Sequence, residues 1–575
     1  MSLLEIDSLS LSIGGMNILD RTSLTVDRGE TVGLVGESGS GKSMTALSVM
    51  RLLPPRARVS GRITFDGVDI LSATEDAMVQ LRGDQIGMVF QEPMTALNPV
   101  KIIGEQVAEG IRWHARASRA EAEERARRIL DRVGLPEAQF PLSRYPHQLS
   151  GGQRQRVVIA IACALNPKLL IADEPTTALD VVLQAQILDL LRGLVHENRM
   201  GLLLISHDLA VVTEMADRIA IMKSGTVVDS GETARVPSEQ SHPYTRQLTL
   251  ASTHIPHRHR ALPSPLWGGS TSDQSEAEIA RRGGGVLAPA VSLPSSQKSE
   301  DAAPLLSVQN VSRDYPGPRK SIFEKGALFR AVDDVSFTMA PGQSVALVGR
   351  SGCGKSTLAR MVLALDPPTS GTIDFMGERI TGRRQQDLRP ARRNMQIVFQ
   401  DPYGSFDPRL PVERLVGEPL HLLDQRPTRQ RRRDLVAAAL AEVGLRETDL
   451  DKYAHEFSGG QRQRLSIARA IITRPRLVVA DEPVSALDVS IRAQILDLFA
   501  DLNGRLGIAF LFITHDLTVA RAVTDQVMVM HEGRIVERGA TTDVLDHPQS
   551  DAAKALVAAA PDLHRAIARR MREQG

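Results

Sequence analysis

Gly36-Glu37-Ser38-Gly39-Ser40-Gly41-Lys42-Ser43 returns as Gly349-Arg350-Ser351-Gly352-Cys353-Gly354-Lys355-Ser356, and this pair decides how the 575-residue chain is read. Each octapeptide follows an apolar, strand-like run, Thr31-Val-Gly-Leu-Val35 in one copy and Ser344-Val-Ala-Leu-Val348 in the other, and each opens an amphipathic helical stretch. Glycines at 36, 39 and 41, and at 349, 352 and 354, let backbone N–H groups curl around phosphate oxygens. Lys42 and Lys355 are then placed to reach the β and γ phosphates, and the hydroxyls of Ser43 and Ser356 to ligate Mg²⁺. Two P-loops at strand-to-helix junctions predict two ATP sites.

The repeat extends well beyond these loops. Phe90-Gln91-Glu92-Pro93 recurs as Phe399-Gln400-Asp401-Pro402, and Leu149-Ser150-Gly151-Gly152-Gln153 as Phe457-Ser458-Gly459-Gly460-Gln461. Asp173-Glu174-Pro175 recurs as Asp481-Glu482-Pro483, and Ser206-His207-Asp208 as Thr514-His515-Asp516. From Ser150 onward the spacing between copies holds at 308 residues, which predicts one fold present twice. A chain this long exceeds what one hydrophobic core usually organises. The expected division is a first domain over 1–251, a flexible linker over 252–304 and a second domain with a C-terminal tail over 305–575. The linker is rich in Pro, Gly and Ser, and about 50 flexible residues span on the order of 40 Å, enough for the two domains to pack face to face.

Lys168-Leu-Leu-Ile-Ala-Asp173 and Arg476-Leu-Val-Val-Ala-Asp481 read as buried strands ending in a carboxylate, where a parallel sheet presents ligands at its C-terminal edge. Asp173 and Asp481 suit a Mg²⁺ shell. Glu174 and Glu482, one residue on, face the other way and are suited to polarise the water that attacks the γ phosphate. His207 and His515 end the next apolar strands, and their matched positions point to γ-phosphate sensing.

Composition excludes other classes. Sixty-nine basic against 68 acidic residues leave a net charge of +1, so no global field favours nucleic acid or an acidic membrane. The Arg-rich stretches 116–128 and 426–433 read as solvated helix faces. Two Cys, 163 and 353, make neither a disulfide scaffold nor a metal site, and His254, His257 and His259 lack an acidic or thiol ligand to complete one. No apolar stretch reaches bilayer-spanning length and the N-terminus carries no export signal, so a cytoplasmic chain attached to a membrane through partners is expected.

Leu-Ser-Gly-Gly-Gln just upstream of a helix and of Asp-Glu-Pro resembles the signature of ABC ATPases, and the resemblance covers nearly all of both copies. It implies an α/β fold with two P-loop NTPase domains, each with a mainly parallel sheet core, an antiparallel β subdomain and a helical subdomain. It further implies that the domains pair head to tail, with ATP held between one P-loop and the other domain's Ser150-Gly151-Gly152-Gln153 or Ser458-Gly459-Gly460-Gln461. A Gly-bearing helix N-terminus is a physically sensible second phosphate cradle. By the same resemblance Gln91 and Gln400 contact Mg²⁺ and the attacking water, and Tyr315 stacks on adenine. Ile13 stands at the matching place in the first copy.

Phe90-Gln-Glu-Pro-Met-Thr-Ala-Leu-Asn-Pro99, Phe399-Gln-Asp-Pro-Tyr-Gly-Ser-Phe-Asp-Pro408 and Ser241-His-Pro-Tyr-Thr245 are similar to the peptide, opine and nickel uptake branch, with two subunits fused as in dipeptide-type and glutathione-type importers. That branch implies two integral-membrane permease subunits as partners, a periplasmic solute-binding protein acting indirectly, and a peripheral place on the cytoplasmic face of the bacterial inner membrane. Peptide, glutathione, nickel and opine remain open as cargo. The rival reading is a soluble tandem ABC ATPase acting on ribosomes or in a membrane-independent complex. The segments after Gln91 and Gln400, to about Leu142 and Leu450, are expected to form the helical subdomains that receive permease helices, with Leu435, Ala438, Ala439, Leu440 and Val443 as one apolar face. Many first-type subunits of the branch carry a C-terminal cysteine cluster for an iron–sulfur centre; no Cys lies between 163 and 353, so none is expected here.

Overall fold

In the first half, Thr31–Val35, Leu169–Asp173 and Gly201–Ser206 are buried along their whole length, as strands covered on both faces must be. They belong to a six-stranded sheet in the order Thr226–Glu232, Arg218–Lys223, Thr31–Val35, Gly201–Ser206, Leu169–Asp173, Ile86–Val89. Only the first pair is antiparallel. A separate four-stranded antiparallel sheet is built from Met16–Val26, Leu4–Ile13, Ala57–Phe65 and Val68–Asp69. The computed structural model describes residues 2–256 and 303–574 except 178, 318–327, 403 and 486. Residues 257–302 of the expected linker, His257 and His259 among them, therefore lie outside the described residues, as do Ala178 and Ala486.

The second half repeats the architecture strand for strand. Its core sheet runs Met395–Val398, Leu477–Asp481, Ala509–Thr514, Ser344–Val348, Gln526–His531, Arg534–Ala540, and its antiparallel sheet joins Leu328–Met339, Leu306–Pro316, Ser370–Phe375 and Glu378–Arg379. In both halves the P-loop strand is central, so the loop and the helix after it, Lys42–Val49 or Lys355–Val362, emerge amid the carboxyl ends of the parallel strands. That edge is where a doubly wound sheet places its ligand.

Helical segments follow Gln91 and Gln400: Ile103–Ala115, Arg119–Arg132 and Gly151–Cys163 in one half, Val412–Val416, Arg429–Glu442 and Gly459–Ile471 in the other. Arg119–Arg132 buries Ala122, Ala126 and Leu130 and turns its charges outward, with pairs such as Arg125–Glu121 at 2.6 Å. In Arg429–Glu442 the buried face differs from the expected one: Val436, Ala439 and Leu440 are buried with the flanking Val443, while Ala438 faces solvent. Positions 436, 440 and 443 follow the i, i+4, i+7 stripe of a helix, which excludes 438. No helix among the described residues is long and apolar enough to cross a membrane.

The chain termini of the halves cross over. Pro243–Ser252, the last helix of the first half, packs on Val489–Leu506 of the second, and His254 Nε2 lies 2.8 Å from Asp497 Oδ1. In return Asp551–Ala559 packs on Val181–Asn198, and Leu563–Gln574 on Leu209–Met215. Leu563 is buried in the first half's own core, with Ile567 packed against it. Arg570 donates to the carbonyls of Thr213 and Glu214 at 3.3 and 3.2 Å, satisfying C-terminal carbonyls of the helix it crosses. Leu563→Ala should therefore destabilise the first half although it lies in the second. About 2 kcal/mol is expected, the low end for a buried leucine because a terminal helix can settle into the gap. Urea unfolding followed by a probe in the first half measures this; an unchanged midpoint would rule out the docking.

Candidate active site

Each P-loop is closed on its own lysine. Lys42 Nζ donates to the carbonyls of Gly36 and Glu37 at 2.7 and 3.0 Å, and Lys355 Nζ to those of Gly349 and Arg350 at 2.8 and 3.0 Å. Both lysines are buried. Burial pulls the Lys42 ammonium below the ordinary lysine range, while Glu174, Asp488, Asp173 and Glu37 oppose the shift. Gly39, Gly41, Gly352 and Gly354 take φ values between 79° and 107°, the left-handed region, so the loops need glycine there.

Asp173 and Asp481 end their strands beside the P-loop helices, and Ser43 Oγ donates to Asp173 Oδ1 at 3.1 Å. Burial foremost, helped by the adjacent glutamate, pushes both aspartates up to about 6, at Asp173 against the hydrogen bond from Ser43. A hydroxyl beside a buried carboxylate at a phosphate loop is the hard-oxygen chemistry that Mg²⁺ prefers, and the desolvated carboxylate gains most from a cation.

The next residues, Glu174 and Glu482, stand at φ 47° and 45°, left-handed backbone that a non-glycine residue adopts only under constraint. The constraint is visible: their N–H groups donate across the sheet to Ile205 O at 2.9 Å and Ile513 O at 2.8 Å. Glu174 meets His207 Nδ1 at 3.2 Å, Thr177 Oγ1 at 2.9 Å and Gln91 Nε2 at 2.9 Å. Glu482 meets His515 Nδ1 at 3.0 Å and Gln400 Nε2 at 2.6 Å. Burial, the largest single influence, opposes ionisation of Glu174, but the His207 bond and charge, the Thr177 bond and the Lys42 charge together outweigh it and hold the carboxyl at about 2. Burial, again the largest single influence, opposes protonation of His515, but its bond to Glu482 and the charges of Glu482 and Asp516 together prevail and raise it. The structure thus joins Gln, Glu and His into one hydrogen-bonded group in each half, with the glutamines turned to the glutamates.

Ser150 and Ser458 cap the helices that open at Gly151 and Gly459. Each serine oxygen accepts from the N–H of Gln153 or Gln461, and each glutamine oxygen accepts in return from the serine N–H. The glutamine side chains are thereby committed to a capping box. Gly152 and Gly460 face Leu183 and Ile491 so closely that an added Cβ would lie 3.1 and 2.5 Å away.

Two residues beyond the expected set link the halves. Asp180 Oδ2 accepts from the N–H of Ser351 at 3.0 Å, and Asp488 Oδ1 from that of Ser38 at 2.7 Å. Both aspartates are buried, and each reaches into the other half's P-loop. Their signal was in the repeat: Ala-Leu-Asp follows each Glu-Pro, with Asp488 lying 308 residues after Asp180. A cavity of about 410 Å³ lies between the halves, lined by Glu174, His207 and His515 and by tail residues such as Thr253 and Leu563; neither P-loop lines it.

Tyr315 is not an isolated aromatic. Its hydroxyl donates to Asp366 Oδ2 at 2.5 Å, Arg313 reaches the same carboxylate at 2.7 Å, and the Arg313 guanidinium lies 4.7 Å from the ring centre. At the matching positions of the first half stand Leu11, buried in its apolar core, and Ile13 and Leu53, partly buried and packed against that core. A polar trio in one half is an apolar cluster in the other.

The family model for ABC transporters matches residues 19–177 and 332–485. The glutathione import ATP-binding protein GsiA of Salmonella choleraesuis is 43% identical over 583 residues, covering 97% of this chain and 90% of that protein. Its namesake from Pectobacterium atrosepticum is 44% identical over 559 residues, covering 96% and 87%. Among solved structures, the dimeric cassette MJ0796 with ADP and Pi is 27% identical with a TM-score of 0.37, covering 41% of this chain and 98% of that one. Matched in both halves and along nearly its full length, the chain belongs to the ABC transporter family, as an ATP-binding ATPase that carries two of its catalytic domains.

Proposed function

We propose that this chain is the energising subunit of a bacterial importer for glutathione or a related small peptide, peripheral to the cytoplasmic face of the inner membrane. The observation that carries the reading is the near full-length similarity to glutathione import ATP-binding proteins. Those relatives favour the importer over a ribosome-acting ATPase.

The two halves pair head to tail, and each ATP is shared. One site joins Lys42, Asp173 and Glu174 to Ser458, Gly459 and Gly460; the other joins Lys355, Asp481 and Glu482 to Ser150, Gly151 and Gly152. The reciprocal bonds Asp488–Ser38 and Asp180–Ser351 support this pairing. On binding, each lysine exchanges its two carbonyl partners for β- and γ-phosphate oxygens, and the glycine N–H groups wrap the phosphates. Mg²⁺, when bound with the nucleotide, neutralises phosphate charge; Ser43, Asp173 and Gln91, or Ser356, Asp481 and Gln400, would hold it. Glu174 and Glu482 orient the attacking water, and His207 and His515 hold those glutamates in place while facing the γ phosphate.

The helical subdomains after Gln91 and Gln400 receive cytoplasmic helices of two permease subunits. Val100 and Trp113, 79% and 70% exposed, leave large apolar surface on the first of them, which suits such a partner. The test is copurification from membranes, followed by uptake of labelled glutathione into right-side-out or reconstituted vesicles that hold ATP and the ATPase on the inside. Two integral-membrane proteins and ATP-dependent uptake are expected; cofractionation with ribosomes and no membrane partner would overturn the proposal.

A further inference from the structure

The His-Pro-Tyr-Thr stretch at 242–245 opens the helix Pro243–Ser252, far along the chain from either P-loop. Tyr244 is nevertheless 2% exposed, and its hydroxyl oxygen accepts a hydrogen bond from the N–H of Glu37, the second residue of the first P-loop, at 3.2 Å. The ring is held from two sides. Lys223 Nζ lies 4.5 Å from its centre, and the neighbouring Thr245 donates to Asp229 at 2.6 Å. Burial foremost, and the negative charge of Glu37 with it, push the phenol up to about 12, so the group stays neutral.

Glu37 is held a second time, from the other half. Ser490, on the helix Val489–Leu506, donates its hydroxyl to the Glu37 carboxylate. The Glu37 carbonyl is in turn one of the two acceptors of Lys42. The peptide that parks the ATP-binding lysine is therefore pinned at its N–H by one half's tail helix and at its side chain by the other half, and these two helices pack on each other. Among the described residues the second P-loop has no counterpart. Arg350 stands in place of Glu37 and is exposed, Val182 replaces Ser490, and the exposed Gln549 at the tyrosine position bonds its own neighbour, His547 O, at 2.8 Å.

We propose that Tyr244, together with Ser490 across the interface, is a positioning residue of the first ATP site alone, locking Glu37 so that the first P-loop and the second half's helix Val489–Leu506 move as one body. The assignment rests on the two-site reading above and makes the sites unequal in a new way. The first site lacks the Tyr315 trio but has a loop already fixed in place, and preorganisation of that kind strengthens binding.

The test separates the sites. In the full chain carrying Lys355→Ala, a fluorescent ATP analogue reports the first site; in the chain carrying Lys42→Ala it reports the second. Loss of one hydrogen bond corresponds to an increase in Kd of about five-fold, so Tyr244→Phe is expected to weaken the first site by that factor and leave the second unchanged. Ser490→Ala, a substitution in the second half, is expected to weaken the same first site, and the double variant less than the product of the two because both act on Glu37. An unchanged first site with either variant, or equal weakening in both backgrounds, overturns the assignment. A Lys355→Ala chain that binds no nucleotide, or two, overturns the two-site reading itself.

Discussion

Glu174→Gln and Glu482→Gln are each expected to cut ATP turnover by on the order of 100-fold or more, the range typical of a lost general base. The amide keeps the size and the contacts with Gln91 or Gln400 but removes the carboxylate beside His207 or His515 that is proposed to orient the water. Either substitution alone is expected to be enough, because in the proposed head-to-tail pairing closing and reopening are shared. The cross-half bonds Asp488–Ser38 and Asp180–Ser351 tie each P-loop to the segment following the other half's glutamate. Steady-state phosphate release measures the effect. Near wild-type turnover with Glu174→Gln, beside full loss with Glu482→Gln, would make the first site a binding site only and sink the two-motor reading.

Gly36→Ala and Gly349→Ala should each abolish tight binding at their own site while leaving the fold intact. A Cβ on Gly36 would lie 2.2 Å from the carbonyl oxygen of Met222, and one on Gly349 2.3 Å from that of Met530. Both obstacles are backbone atoms of core-sheet strands, Arg218–Lys223 and Gln526–His531, so the loop must yield. Non-bonded carbon contacts lie near 3.5 Å, which asks for a shift of roughly 1 Å. Displacement of that size at a reacting centre costs on the order of 100-fold. Nucleotide titration in the Lys355→Ala or Lys42→Ala chain reads each site separately. Wild-type affinity with Gly36→Ala would mean that the loop finds room the structure does not contain.

The core fold and the grouping of most candidate site residues were legible in the residue string for a local reason. A P-loop is one strand, one turn and one helix, and its glycines, lysine and serine all lie within eight consecutive positions, Gly36 to Ser43. Strands buried on both faces, such as Leu169–Asp173, announce themselves by unbroken apolar runs, and the carboxylates at their ends are placed by the sheet's own geometry. The doubling of the chain then made each chance match improbable. The helical subdomains were less legible, because short amphipathic helices leave the phase uncertain by one position, and Val436 rather than Ala438 proved to face the core.

What the sequence by itself determined is therefore the chemistry that neighbours along the chain create: two phosphate loops, two strand-end acidic pairs, two helix-opening glycine motifs and their common order. What only the tertiary structure decided is everything that joins distant segments. The left-handed turn at Glu174, Asp180 and Asp488 reaching across to serine N–H groups, Tyr244 under the first P-loop and Leu563 in the core of the other half all depend on contacts over many tens or hundreds of residues. A tyrosine or leucine carries no mark of such a partner, because burial and hydrogen bonding are set by what folding brings opposite a side chain, and not by its neighbours in the chain.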